Sequence, residues 1–122
     1  MIRLPQLAAA MLLSVVALAQ VDLRPDAVVF SGSATNTTAP AFIDEARVRR
    51  ATVEWQTIEA EGVRRGSARY MLLMSDMDRR IRNAVHKAAT DASKDLVVRQ
   101  GDVSDRKGRP VVDLTDEVIA RL

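Results

Sequence analysis

A helical stripe of Ile81, Ala84, Val85 and Ala88 runs directly into Asp95-Leu96-Val97-Val98. After a polar loop the chain closes with Pro110-Val111-Val112-Asp113-Leu114-Thr115-Asp116-Glu117-Val118-Ile119-Ala120-Arg121-Leu122. Apolar residues three and four apart mark one face of a helix, whereas a short β-branched run bounded by turn residues marks a strand. The block therefore reads as helix, strand, turn, strand and a short capped helix. Strands are expected at 95–99 and 110–113, joined by a polar turn from Arg99 to Arg109. The closing helix is expected over 115–122, with Thr115 as N-cap. Asp116 and Glu117 then lie in its first turn, where acidic groups meet the positive end of the helix dipole. Leu114, Val118, Ile119 and Leu122 form its apolar face. This order implies an α+β fold: a helical hairpin attached to a small β-sheet body with a short C-terminal helix.

Upstream, Ala27-Val28-Val29-Phe30 is a β-prone run, and a strand is expected over 27–31. Residues 31–41 have the Ser, Thr, Gly and Asn composition of a loop. Asn36-Thr37-Thr38 within it matches a glycosylation acceptor, a pattern too short to be given a role. From Ile43 to Glu61 there is no Gly or Pro, and Val48, Ala51, Trp55 and Ile58 form one stripe, so a helix is expected. Asp44 and Glu45 suit its first turn. Gly62 can cap its end and Ser67 can start the next helix, from Ala68 to Ala92. That second helix carries Tyr70, Leu73, Met77, Ile81, Ala84 or Val85, and Ala88, a stripe as narrow as a coiled-coil seam. Residues 43–93 thus form a helical arm, either as a hairpin or as one helix running through Gly62 and Gly66. Each internal Gly costs about 1 kcal/mol against Ala, which does not forbid the single helix. The hairpin is preferred because short connections favour antiparallel neighbours.

Residues 1–19 have the pattern of a signal peptide: Arg3, an apolar run from Leu7 to Leu18 broken only by Ser14, and Ala17-Leu18-Ala19 before a cut at Gln20. The run falls short of the roughly 20 residues that span a bilayer, the requirement for an uncleaved anchor. The expected product is a soluble, exported single domain over 20–122. The chain has no cysteine, so disulfides and thiolate metal sites are excluded. Trp55, Tyr70, Phe30 and Phe42 are its only large rings, a thin supply for a small core, which oligomerisation often supplements. With 18 basic and 16 acidic residues it lacks the one-sided basic footprint of a nucleic-acid binder.

Candidate chemistry is sparse. His86 is the only histidine, and a zinc site needs three or four ligands of the His or Cys kind. No Gly-x-Ser-x-Gly elbow and no Gly-rich phosphate loop occur. Asp76/Asp78 and Glu59/Glu61 lie two apart, on different helix faces. No catalytic residue, metal or cofactor is expected, and the chain does not read as an enzyme. Met71, Leu72, Met74 and Met77 are more distinctive. Methionine adapts to irregular apolar partners, so the group reads either as helix-pair core or as a surface for varied clients. Arg64, Arg65 and Arg69 beside it read as a solvated turn or as a weak contact for anionic lipid headgroups.

Asp95-Leu96-Val97-Val98, a polar turn, and Val112-Asp113-Leu114-Thr115-Asp116-Glu117-Val118-Ile119 together resemble the C-terminal signature of the OmpH/Skp family of periplasmic chaperones. There a long helix precedes a "DLVV"-like strand and the chain closes on a "DIT-x-x-V"-like helix. The close resemblance covers roughly residues 77–122; Ala27 to Phe30 would take the place of the family's N-terminal strand. It implies a homotrimer in the periplasm, its body built by Val28, Val29, Leu96, Val97, Val98, Val111, Val112, Leu114, Val118 and Ile119. Coiled-coil arms would hold unfolded outer-membrane or other envelope proteins without catalysis. The alternative is a structural envelope oligomer that uses the same body as an assembly module and holds no client. This chain departs from the family in three ways. Its arms are short, at about 20 to 25 residues or roughly 30 to 37 Å each. Arginine and balancing acids replace a lysine-rich arm, and a long Ser/Thr/Gly loop follows the first strand.

Overall fold

The computed structural model describes residues 20–122, so the expected leader over 1–19 lies outside the described residues. The fold is α+β. Its elements in order are β1 (Asp22–Leu23), β2 (Val29–Gly32), β3 (Pro40–Ile43), α1 (Glu45–Arg50), α2 (Val53–Glu61), α3 (Ala68–Asp91), β4 (Leu96–Arg99), β5 (Val103–Asp105), β6 (Val112–Asp113) and α4 (Thr115–Ile119). Four strands make one sheet in the order β2-β4-β3-β6, with β2 antiparallel to β4 and the other pairs parallel. β1 and β5 form a separate antiparallel ribbon. The parallel neighbours β3 and β4 need a long crossover between them, and helices α1 to α3 supply it.

β4 sits inside the sheet and is covered on both faces, which is why its sequence is a continuous apolar run rather than an alternating one. Val97 joins Ala41 and Ile43 of β3 in the main core, together with Val48, Met77, Ile81, Val85, Leu114 and Val118. Leu96 and Val98 point the other way and meet Val21, with Leu23, Ala34, Phe42 and Val103 packed around them. Fully burying a side chain such as Leu96 contributes about 1.5–3 kcal/mol.

Several expected elements shift. The strand expected over 27–31 is β2, beginning at Val29, and Ala27 and Val28 lie before it. The expected loop over 31–41 ends in a strand: Pro40 opens β3, a position where its missing N–H costs no ladder bond. β3, not β2, leads into the helices. The helix expected from Ile43 to Glu61 is two helices, because Thr52 turns extended and caps α2 through its hydroxyl, which accepts from Trp55 N at 3.2 Å. The polar turn from Arg99 to Arg109 contains β5, whose partner β1 was likewise not foreseen; strands of two or three residues carry no periodic signal. Thr115 is the first helical residue of α4 rather than its cap, its N–H donating to Asp113 Oδ1 at 2.9 Å.

The arm is a hairpin. α2 ends at Gly62, which adopts the left-handed conformation while Val63 N–H returns to Ile58 C=O, a Schellman close. Ser67 caps α3 by accepting from Tyr70 N at 3.1 Å. With 24 residues, α3 is about 36 Å long at 1.5 Å per residue, but its second half lies on the sheet. Only the first turns of α3 and its partner α2 belong to the projecting part, so the free arm is shorter than the sequence implied.

Candidate binding surface

Helix α3 passes from body to tip, and the burial of its methionines changes along it. Met77 is 0% exposed and belongs to the core, while Met74 is half-buried against it. Met71 and Leu72 are each 63% exposed. At 3.6 residues per turn, Met71 and Leu72 fall off the stripe of Tyr70, Met77, Ile81 and Ala88, on the outer side of the hairpin with Ala68 and Ser75. Of the four candidate client-contacting residues, Met71 and Leu72 are on the surface. Met77 is a correction: it is sealed beneath the helices and the sheet and offers nothing to a ligand in the folded chain.

The tip is framed by charge. Arg64, Arg65 and Arg69 are all exposed. Arg69 is held by Glu61 at 2.7 Å, and that contact keeps the Glu61 carboxyl below its ordinary range. At the root of the hairpin Arg80 Nε donates to both carboxylate oxygens of Glu54, at 2.7 and 3.1 Å. Glu54 is 5% exposed, whereas Arg80 stays open to solvent and also donates to Leu122 C=O at 3.1 Å. A cleft of about 470 Å³ opens beside it, lined by Asp76, Arg79, Asn83, Lys87 and Arg121. Its arginines are spoken for: Arg79 lies 3.7 Å from Asp76, and Arg121 is paired with Asp91.

The body residues divide in the same way. Leu96, Val97, Val98, Leu114 and Val118, expected to build an oligomer body, are buried within a single chain. Val28, Val111 and Ile119 are half-buried. Val29 and Val112, at 36% and 37% exposed, sit on the two outermost strands. Outer strands keep one row of unpaired N–H and C=O groups, so these are the body's open edges.

Two carboxylates and a glycine that the sequence did not single out hold the body together. The Asp95 carboxylate accepts from the Thr37 hydroxyl, from Thr38 N at 2.8 Å, from the Thr38 hydroxyl at 3.0 Å and from Ala39 N at 3.1 Å. Burial opposes its ionisation, yet these donors outweigh burial and hold its pKa down to about 2. Gly32, at φ +76°, lies so close to the Asp95 carbonyl that a β-carbon would collide with it. Asp102 is buried, accepts from Val28 N at 2.8 Å and from Arg99, and is held below its ordinary range by them against the cost of burial. An Asp directly before an apolar strand was the only available hint of the first of these.

Among the described residues no group of three metal-binding side chains gathers, and no helix is long and apolar enough to cross a membrane. Compared with known protein families, curated proteins and solved structures, the chain matches none of them.

Proposed function

We propose that this chain is an exported, non-enzymatic chaperone-like protein of the OmpH/Skp type. It acts in the periplasm as a homotrimer and holds unfolded outer-membrane or other envelope proteins at the hairpin tips. One observation carries the reading. Met71 and Leu72 are large apolar side chains left in water on a hairpin whose other stripe is well packed. Folding stability does not account for them, whereas a loose apolar contact with an unfolded chain does. Arg64 and Arg65 beside the patch, with Arg69 tied to Glu61, keep it soluble and give anionic lipid a weak foothold.

The test is suppression of aggregation when an unfolded outer-membrane β-barrel protein is diluted out of urea, followed by light scattering. The wild-type protein is expected to act near stoichiometric ratio. The Met71→Ser/Leu72→Ser double variant is expected to lose that action while its thermal unfolding stays unchanged. Equal suppression by both proteins, or none by either, sinks the reading.

A second reading, a structural envelope oligomer without clients, is favoured by Val29 and Val112 on the open outer strands. It predicts a stable oligomer that leaves the aggregation of the unfolded protein unaffected.

A further inference from the structure

Helix α3 carries its methionines at positions 71, 74 and 77, and the three differ in what a solute can reach. Met71 is 63% exposed, Met74 is half-buried with its side chain packed on the main core, and Met77 is 0% exposed. Thiol and thioether sulfur are the side-chain atoms that peroxides oxidise. The chain has no cysteine, so among the described residues these methionines are all the sulfur that an oxidant meets. What oxidation does to the fold differs as well. A sulfoxide carries a polar S=O group, which needs a hydrogen-bond donor if it is not to cost free energy. At Met71 water supplies that donor. At Met77, in the apolar core with Ile43, Val48 and Ile81, water does not. Met71 is therefore the position where oxygen is added without disturbing the packing. It is also half of the exposed apolar pair at the tip, Met71 and Leu72.

We infer that Met71 is a site of reversible oxidation by hydrogen peroxide, and that its sulfoxide switches off the apolar tip surface. In the step, the thioether sulfur gives an electron pair to one peroxide oxygen; the S–O bond forms and the O–O bond breaks. The departing hydroxide takes the proton of the transferred oxygen and leaves as water. Sulfur is oxidised by two electrons and the peroxide is reduced by two. The product sets a polar side chain beside Leu72 where a flexible apolar one stood. The oxidation itself stands on the exposure of Met71 alone; its effect on binding rests on the client-holding function proposed above.

Mass spectrometry after brief treatment of the full protein with hydrogen peroxide tests the first part. Trypsin cuts after Arg69 and Arg79, so one peptide carries all three methionines and its fragments place each added oxygen. Met71 is expected to react at least ~tenfold faster than Met77, which is reached only when the core opens. In urea, where the fold no longer shields Met77, that difference is expected to vanish. Equal rates at Met71 and Met77 in the folded protein overturn the site. Protein oxidised at Met71 then enters the dilution assay with the unfolded outer-membrane β-barrel protein. About tenfold more of it is expected to be needed for the same suppression of aggregation, as follows from withdrawing one apolar side chain from the contact, with its urea midpoint unchanged. The two methionine sulfoxide reductases, one for each epimer, are expected to restore the action. Met71→Leu, compared with its own untreated sample, is expected to keep its action through the same treatment. Undiminished action of the oxidised wild-type protein, or a loss that the reductases do not reverse, overturns the switch. Untreated wild-type protein that holds nothing sinks the client-holding function and the switch with it, and leaves the oxidation of Met71 to be judged on the peptide.

Discussion

From Met77 to Ala89, helix α3 buries six side chains against the sheet and helix α4, whereas in the turns before Met77 it leaves Met71 and Leu72 in water. The outer stretch is the more apolar in sequence, with six of the nine residues 68–76 apolar against six of the thirteen residues 77–89. They differ in what stands opposite. The inner stretch faces Ala41, Ile43 and Val97 of the sheet with Val48 and Val118 of the flanking helices. The outer stretch lies beside α2, and of its residues Met74 packs back onto the core. An apolar residue in the body is accounted for by the free energy of folding; the same residue at the tip is not, and a reason for it has to be sought in what the protein touches.

The sharpest way to break this contrast is to disturb the body where it has no slack. Gly32→Ala places a β-carbon against the Asp95 carbonyl at a positive φ, and backbone on both sides prevents relaxation. A loss of about 3 kcal/mol or more is expected in urea unfolding, enough to leave a small domain largely unfolded. If Gly32→Ala unfolds at the wild-type midpoint, the junction of β2 and β4 is not the rigid joint described.

Next in size is Met77→Ala. Truncating a fully buried methionine costs about 2–5 kcal/mol, so a large drop in thermal midpoint is expected. Met71→Ala, two turns away on the same helix, is expected to change stability by less than about 0.5 kcal/mol, as surface substitutions do. Similar costs at the two positions would mean that the tip is buried in the protein as it exists in solution, for instance by another copy.

The same contrast explains what the sequence made legible. Leu96-Val97-Val98 announced a strand, and Gly62 and Ser67 marked the ends of the hairpin helices, because each signal is local: an apolar run, a left-handed cap, a side-chain cap. β3 was hidden because Pro40 and its Ala/Phe/Ile run looked like the end of a loop and the start of a helix; only pairing with β4 and β6 on either side makes it a strand. β1 and β5 exist only through each other. The break at Thr52 interrupts a region free of Gly and Pro, and it arises where α1 leaves the sheet and α2 turns to follow α3. Met71, Leu72 and Met77 group together by their chemistry, although only Met77 lies on the stripe of Tyr70, Leu73 and Ile81 that meets the body. Asp95 was quoted only as the first residue of an apolar word. Its role depends on Thr37, Thr38 and Ala39, which lie more than fifty residues earlier in the chain.

Acid gives the smallest and most selective probe of body against tip. The Asp95 carboxyl has a folded pKa of about 2, below its unfolded value of about 3.9. Its ionised form is therefore the one that the fold prefers. The stability it contributes is fully present above about pH 4 and is lost as the pH falls through about 2. Because part of the residue is open to solvent, screening reduces the contribution to about 1–2 kcal/mol. Asp95→Asn should cost that amount at pH 7 and should flatten the stability profile between pH 4 and pH 2, as read from urea midpoints at each pH. The tip behaves differently. Glu61 is also held below its ordinary range by Arg69, but the pair is fully exposed, so Glu61→Gln is expected to leave the acid limb of the profile where it was. Should Asp95→Asn keep the wild-type acid limb, the loop before β3 is not fastened by this carboxylate. Should Glu61→Gln remove that limb instead, the body and the tip do not divide the stability of the chain as their packing implies.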